Sequence, residues 1–477
     1  VYAFPRVGHY GQTSLAAGNP AFPGLVIAAD SARRSALTRG AAGSADDPSQ
    51  ADQRSRLLQT AVELIATSGY PQVRIGDIAT AAGVSRATFY EQFRNKEDCF
   101  LAAHDQLAGR LIAQTTRALG GRRDSAQNAL VSAIVEFANR EPLAFSFLTY
   151  EAMLAGPDAL DRRDRLIAAL GEPLEASPGE GRKARCLSIP AWILIGGVVR
   201  LLGIRMRREE PTDRALALEL SQWIDCYRLP LGTKAAIRLQ PHARFLDVGE
   251  RVSPGLLAPQ PLPRGRHRLP GEVVRRIQRE RILHATAQVI RAKGYPNTTV
   301  ADIVAAAGVS REVFYSHFRR RSEAFIDTHQ FVFEQMMAAT AGTFFAAPGP
   351  WPEQVWQSAR ASTKFLLDAP HFAHFAFVEA YALGTIVARR TDQAVMAFTV
   401  LLAGGYDQRP EAAVLPRVVS DAIIAATMET VAFYIRHTRT EELVELLPLI
   451  ADLVIAPFLG ADAAAEFIDG KLDPASS

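Results

Sequence analysis

The chain repeats itself. Shifting the sequence by 225 residues lays Gly69-Tyr70-Pro71 on Gly294-Tyr295-Pro296 and Asp77-Ile78 on Asp302-Ile303. The same shift lays Ala81-Ala82-Gly83-Val84-Ser85-Arg86 on Ala306-Ala307-Gly308-Val309-Ser310-Arg311. Phe89-Tyr90, Phe93-Arg94 and Phe100 fall on Phe314-Tyr315, Phe318-Arg319 and Phe325, giving about 20 identities in 47 ungapped positions between 54 and 100. A repeat of this length constrains the fold before any other signal, because one structural plan must serve twice.

Each copy reads as a helix, a turn, a short helix, a tight turn, a second short helix and then a longer helix. In the first copy Ile75, Ile78, Ala79 and Ala82 form the apolar stripe of the first short helix. Gly83 supplies the permissive backbone of the turn, and Ser85 follows as an N-cap. Phe89 and Phe93, four apart, pin the next helix on the core. Two short helices joined by a Gly-containing turn are a helix-turn-helix, whose second helix enters the DNA major groove N-terminus first. That order aims Ser85, Arg86, Ala87 and Thr88 in one copy, and Ser310, Arg311, Glu312 and Val313 in the other, at base edges. Arg86 and Tyr90 share an outward face, as do Arg311 and Tyr315; guanidinium suits guanine or phosphate, and the phenol suits a phosphate oxygen. Lys96, and Arg319 to Arg321, open the next helix and are expected to neutralise flanking phosphates.

The segments IATSGYPQVRIGDIATAAGVSRATFYEQFRNKEDCF and IRAKGYPNTTVADIVAAAGVSREVFYSHFRRRSEAF resemble the DNA-binding module of the tetracycline-repressor (TetR) family. The family opens its first short helix with Thr. The second copy keeps it as Thr299, whereas the first has Arg74, which loses a cap and adds a candidate phosphate contact. The second copy also places the acid Glu312 beside Arg311, and His317 further along the same helix. The expected DNA-contacting set is therefore Arg74, Ser85, Arg86, Ala87, Thr88, Tyr90, Lys96, Thr299, Ser310, Arg311, Glu312, Tyr315, His317 and Arg321. The resemblance further implies a helical regulatory bundle behind each module. The stretches 141–157 and 369–384 look like its inner helix, and 186–228 and 418–459 look like its last two. It implies a ligand cavity between helices, lined by Phe137, Phe147 and Tyr150 in one bundle and by Phe372, Phe375 and Tyr381 in the other.

The expected class is all-α: two helix-turn-helix domains, each followed by a helical bundle. The boundaries read as a flexible arm (1–50), a first helix-turn-helix domain (51–103), a first regulatory domain (104–229) and a linker with seven prolines and the run RGRHR (230–271). A second helix-turn-helix domain (272–328), a second regulatory domain (329–462) and a flexible tail (463–477) follow. Net charge is only +3, so a nucleic-acid surface must be local: residues 54–100 carry 6 basic and 5 acidic groups, and 279–325 carry 8 and 4.

Three separated cysteines form neither a disulfide framework nor a CxxC pair and fit a reducing cytoplasm. The most apolar stretch, Ile189–Val199, is too short to span a bilayer and reads as a buried helix. No nucleophile elbow, phosphate loop, dinucleotide fingerprint or HExxH is present, so no enzyme and no cofactor are expected. His371 and His374 lack a third ligand, so no metal is expected. The expectation is a cytoplasmic, ligand-responsive repressor with partners double-stranded DNA and a small apolar or aromatic effector, and no membrane. It would act as an intramolecular pseudo-dimer or a homodimer. The alternative is a small-molecule sensor or interaction protein in which one or both helix-turn-helix units are structural.

Overall fold

The computed structural model describes residues 48–120, 126–175, 185–230, 258–260, 269–381, 384–437 and 440–472. The chain divides into two compact units, Val1–Pro241 with Pro416–Ala426, and His242–Leu415 with Thr427–Ser477. The expected arm up to residue 47, most of the Pro-rich linker including RGRHR, and residues 473–477 lie outside the described residues.

In the first unit α1 (Pro48–Ser68), α2 (Ile75–Ala81) and α3 (Arg86–Gln92) form the head, and α4 (Lys96–Leu119) leads out of it. Its core is Leu57, Ala61, Ile65, Ile78, Phe89, Phe93 and Phe100, all buried, which is the stripe that the periodicity marks. Gly83 ends the turn between α2 and α3 with φ of +67°, a backbone that residues with a Cβ rarely adopt. Behind the head stand α5 (Ala126–Arg140), α6 (Pro142–Thr149), a 3₁₀ turn (Glu151–Met153), α7 (Pro157–Glu175), α8 (Ala191–Arg207) and α9 (Arg214–Asp225). A two-stranded antiparallel ribbon, β1 (Arg185–Leu187) with β2 (Arg228–Pro230), pairs Cys186 with Leu229 and closes this bundle. The ribbon corrects the expectation of helix from residue 186: Pro190 is the N-cap of α8, so the helix starts only at Ala191.

The second unit repeats the plan. Its head is α10 (Gly271–Lys293), α11 (Val300–Ala307) and α12 (Arg311–His317), with α13 (Arg321–Ala346) leading out. Ile282, Leu283, Ile303, Ala307, Phe314 and Phe318 form its core. The bundle comprises α14 (Trp351–Asp368), α15 (Pro370–His374) continued as a π-turn (Phe375–Glu379), α16 (Thr385–Met396), a 3₁₀ stretch (Ala397–Asp407) and α17 (Pro410–Ala413). It continues through α18 (Val418–His437), a second 3₁₀ stretch (Thr440–Leu446), α19 (Leu447–Leu459) and α20 (Ala461–Leu472). The expected tail from residue 463 is thus helical to Leu472: Ala464 and Ile468, four apart, are buried, and Lys471 pairs with Glu353.

Helix α8 is apolar on every side over residues 191–199, and these are all buried, as expected of a core helix rather than a membrane span. One described helix, α18, is long and apolar enough to cross a membrane, but most of it is buried inside the protein. Residues 416–426 of α18 and the turn before it belong to the first unit. There Gly197 lies against Ala426, and a Cβ on Gly197 would come within 2.7 Å of the Ala426 Cβ and 3.0 Å of Trp223. The glycine is what lets these helices approach so closely.

Candidate nucleic-acid interface

Both recognition helices are built the same way. Ser85 Oγ accepts from Thr88 N at 3.0 Å, and Ser310 Oγ accepts from Val313 N at 3.2 Å, so each serine caps its helix as the spacing predicts. Burial of Phe89 and Phe314 beneath the helices turns the opposite face outward. On that face Arg86, Ala87 and Tyr90 are exposed in one head, and Arg311, Glu312, Tyr315 and Ser316 in the other. Tyr90 and Tyr315 are 56% and 55% exposed, far more than an aromatic ring gains from packing alone. Each stands edge-on to the buried Phe beside it, at 5.7 and 5.4 Å.

The two heads differ in detail. Arg86 folds back over α2: a Cβ on Gly76 would lie 2.6 Å from its guanidinium. The second head has Ala301 at the matching position, so Arg311 lacks that slot. Thr299 makes a full capping box, accepting from Asp302 N while Asp302 accepts from Thr299 N. Lys293 at 2.6 Å and these bonds hold the Asp302 carboxyl down at about 2. Arg74 N donates to Asp77 at 2.8 Å, but a guanidinium has no acceptor to give the helix in return. The first box is therefore half made, as the substitution implies, and the Arg74 side chain is exposed.

Two expected phosphate contacts have another role. Lys96 is half-buried: its ammonium donates to Tyr70 O (2.7 Å) and Val73 O (2.9 Å) and lies 3.9 Å from the Tyr70 ring centre. Burial lowers its pKa. Arg321 donates to Thr298 O and covers the Tyr295 ring at 4.4 Å. Each cation is committed to the turn of its own head rather than offered to solvent. Exposed positive charge at these helix starts comes instead from Arg94, paired with Asp98, and from Arg319 and Arg320. His317 is partly covered, and burial followed by Arg279 and Arg275 lowers its pKa.

The aromatic residues expected at a ligand cavity are all buried. Phe147 stacks on Phe100 at 4.2 Å and Phe375 on Phe325 at 4.6 Å. These four rings therefore join head to bundle. Phe372 packs against His284 at 4.6 Å. His371 lies beside His284, and burial first, then that neighbour, takes its pKa down to about 4. Among the described residues no cluster of three metal-ligating side chains occurs.

Sequence reasoning missed Glu151 and Glu379, each of which reaches from a bundle to the Gly-Tyr-Pro turn of its head. Glu151 accepts from Tyr70 N at 2.6 Å, and Glu379 from Tyr295 N at 3.4 Å. A signal existed: Phe147, Glu151-Ala152 and Gly156 match Phe375, Glu379-Ala380 and Gly384 at a shift of 228. That register is three residues off the one that aligns the heads.

The profile of the family described as bacterial regulatory proteins, tetR family, matches residues 57–103 and again 282–325. The chain is 33% identical over 92 residues to the HTH-type transcriptional regulator EthR of Mycolicibacterium smegmatis, covering 19% of this chain and 42% of that protein. It is 39% identical over 57 residues to the fatty acid metabolism regulator protein of Bacillus subtilis, covering 12% and 29%. The chain thus spans less than half the length of these two relatives. A solved FadR from Bacillus subtilis, in complex with stearoyl-CoA, superposes on 36% of this chain and 96% of its own with a TM-score of 0.31 and 17% identity. The family model thus matches the chain twice, once in each helix-turn-helix head, so both heads resemble the N-terminal domain of tetR-family bacterial regulatory proteins.

Proposed function

We propose that this protein is a sequence-specific regulator of transcription that binds double-stranded DNA through both heads and acts as a ligand-responsive repressor. The observation that carries the reading is the pair of exposed Arg-Tyr faces, Arg86 with Tyr90 and Arg311 with Tyr315, each on a capped helix held over a buried Phe. The effector is a small apolar or aromatic molecule taken up within a bundle. Repression is released when the effector binds one head arrangement better than the other. No catalytic role is assigned.

Operator symmetry mirrors protein symmetry. A chain whose heads present Ala87, Thr88, Glu91 and Gln92 on one side and Glu312, Val313, Ser316 and His317 on the other reads two unlike half-sites. Glu312 suits a cytosine amino group, an acceptor role that Ala87 has no atom to play. Such a site is read by an intramolecular pseudo-dimer, in which one chain supplies both heads.

Selection from random DNA followed by footprinting tests this reading, and the expected site is an imperfect palindrome. Arg86→Ala and Arg311→Ala should then weaken different half-sites, each by about 1–3 kcal/mol for a base contact. Recovery of a perfect palindrome, or equal losses on every sequence, would refute it. If Arg311→Ala with Tyr315→Ala leaves affinity and footprint unchanged, the second head is structural and the sensor reading takes over for that half. Light scattering with and without selected DNA counts the chains on one site.

A further inference from the structure

We infer that Glu151 and Glu379 are the positioning residues through which each bundle sets the orientation of its own helix-turn-helix head. The inference rests on the DNA-binding reading above and adds the residues that aim the heads.

The Gly-Tyr-Pro turn between the first two helices of each head is gripped from three sides. Its amide donates to the bundle, Tyr70 N to Glu151 Oε2 and Tyr295 N to Glu379 Oε2. Its ring packs edge-on against the first turns of the long helix, Tyr70 on Phe100 at 5.3 Å and Tyr295 on Phe325 at 4.8 Å. Those phenylalanines rest in turn on Phe147 and Phe375 of the bundle. Its carbonyl side is held by the cation at the start of the same long helix, Lys96 on Tyr70 O and Val73 O, Arg321 on Thr298 O.

Val73 and Thr298 lie two residues before the first short helix begins. Moving the turn therefore carries that helix, and through the tight glycine turn it carries the recognition helix as well. A carboxyl is suited to this task because its oxygen can accept from the amide whether or not the group is ionised.

Two features argue that the contact is more than local packing. The carboxylates arrive on different local backbone, a 3₁₀ turn in one unit and a π-turn in the other. They also stand three residues out of the register that aligns the heads. Each nevertheless meets the same amide of its head. The second feature is cost: Glu151 is 2% exposed, in surroundings that give its charge no cationic partner within ion-pair distance among the described residues. A carboxyl whose only use was to fill space would be replaced there by an apolar side chain at no loss.

The experiment uses the full chain with Glu151→Ala, Glu151→Gln, Glu379→Ala and Glu379→Gln. Hydrogen–deuterium exchange is read on peptides covering each turn and each bundle, together with affinity and footprint on DNA selected by the unmodified chain. The alanine variants are expected to speed exchange of the Tyr70 or Tyr295 amide and to lower operator affinity about tenfold or more. The footprint should weaken over one half-site, with bundle exchange unchanged. Glutamine keeps an acceptor oxygen and is expected to restore both protection and footprint.

Unchanged protection and affinity in the alanine variants would overturn the inference. So would equal loss in alanine and glutamine variants with faster exchange across the bundle, since that is the mark of a merely structural residue. If the unmodified chain selects no DNA, the functional reading fails by itself. The exchange pattern then still decides whether the carboxylates hold the heads.

Discussion

Replacing Glu151 by glutamine should make the first unit more stable at neutral and alkaline pH, although it removes a charge from a hydrogen bond. Burial pushes the Glu151 carboxyl up from an ordinary value near 4.5 to about 7, and the Tyr70 N–H only partly opposes it. The folded state thus holds a proton that the unfolded chain has released, so stability falls as pH rises from the unfolded value through the folded one. Below about pH 4.5 the carboxyl is neutral in both states and contributes nothing. Above about pH 7 the full penalty is present. A rise of roughly 2.5 pH units at ~1.36 kcal/mol each sets that penalty at ~3 kcal/mol.

The glutamine side chain is a neutral acceptor at every pH, so Glu151→Gln should recover most of that amount at pH 8 and almost none near pH 4.5. The assay is urea unfolding of the first head, read by a short thiol-labelling pulse at Cys99. That residue is a free, fully buried thiol in the head, and peptide mass spectrometry separates it from Cys186 and Cys226. Comparing the two proteins at one pH cancels the pH dependence of the reagent. A higher urea midpoint for the variant at pH 8, converging with the parent at low pH, is the expected result. Parallel pH profiles for the two proteins would show that the carboxyl ionises freely in the fold and would refute the reasoning.

Three further outcomes follow from the geometry. Gly197→Ala drives a methyl against Ala426 and Trp223 and should cost about 1–3 kcal/mol as overpacking, measured by thermal unfolding. Thr299→Ala breaks the complete capping box and should cost about 1 kcal/mol, while Arg74→Ala, which removes no cap bond, should leave unfolding almost unchanged. Lys96→Met should loosen the turn of the first head and weaken operator binding without altering the salt dependence. A lost phosphate contact would instead make the log–log slope shallower by about 0.9.

The heads were readable from the sequence because their rules are local. Gly83 and Gly308, Ser85 and Ser310, and the Phe pairs four apart act within one or two turns of chain, so spacing alone places them. The same locality misled at Lys96 and Arg321. A cation at a helix start on a DNA-facing module looks free in sequence, yet each bends back onto a tyrosine 26 residues earlier in the chain. The frayed tail and the missing ribbon fail for a related reason. Ala464 and Ile468 find their partners on other helices, and β1 finds β2 more than 40 residues away, contacts that no short window records.

The sequence by itself determined that one plan is written twice, that its module is a helix-turn-helix with an outward Arg-Tyr face, and that the two faces differ. Tertiary structure alone decided which charges remain available to a partner and which are spent inside. It brings Glu151 to Tyr70 and Glu379 to Tyr295 across 81 and 84 residues, and it seats Gly197 beside Ala426, far along the chain. The physical reason is range. Helix caps and apolar periodicity act over a few residues, whereas burial, which sets the charge state of Glu151 and the grip of Lys96, is created only when distant segments pack together.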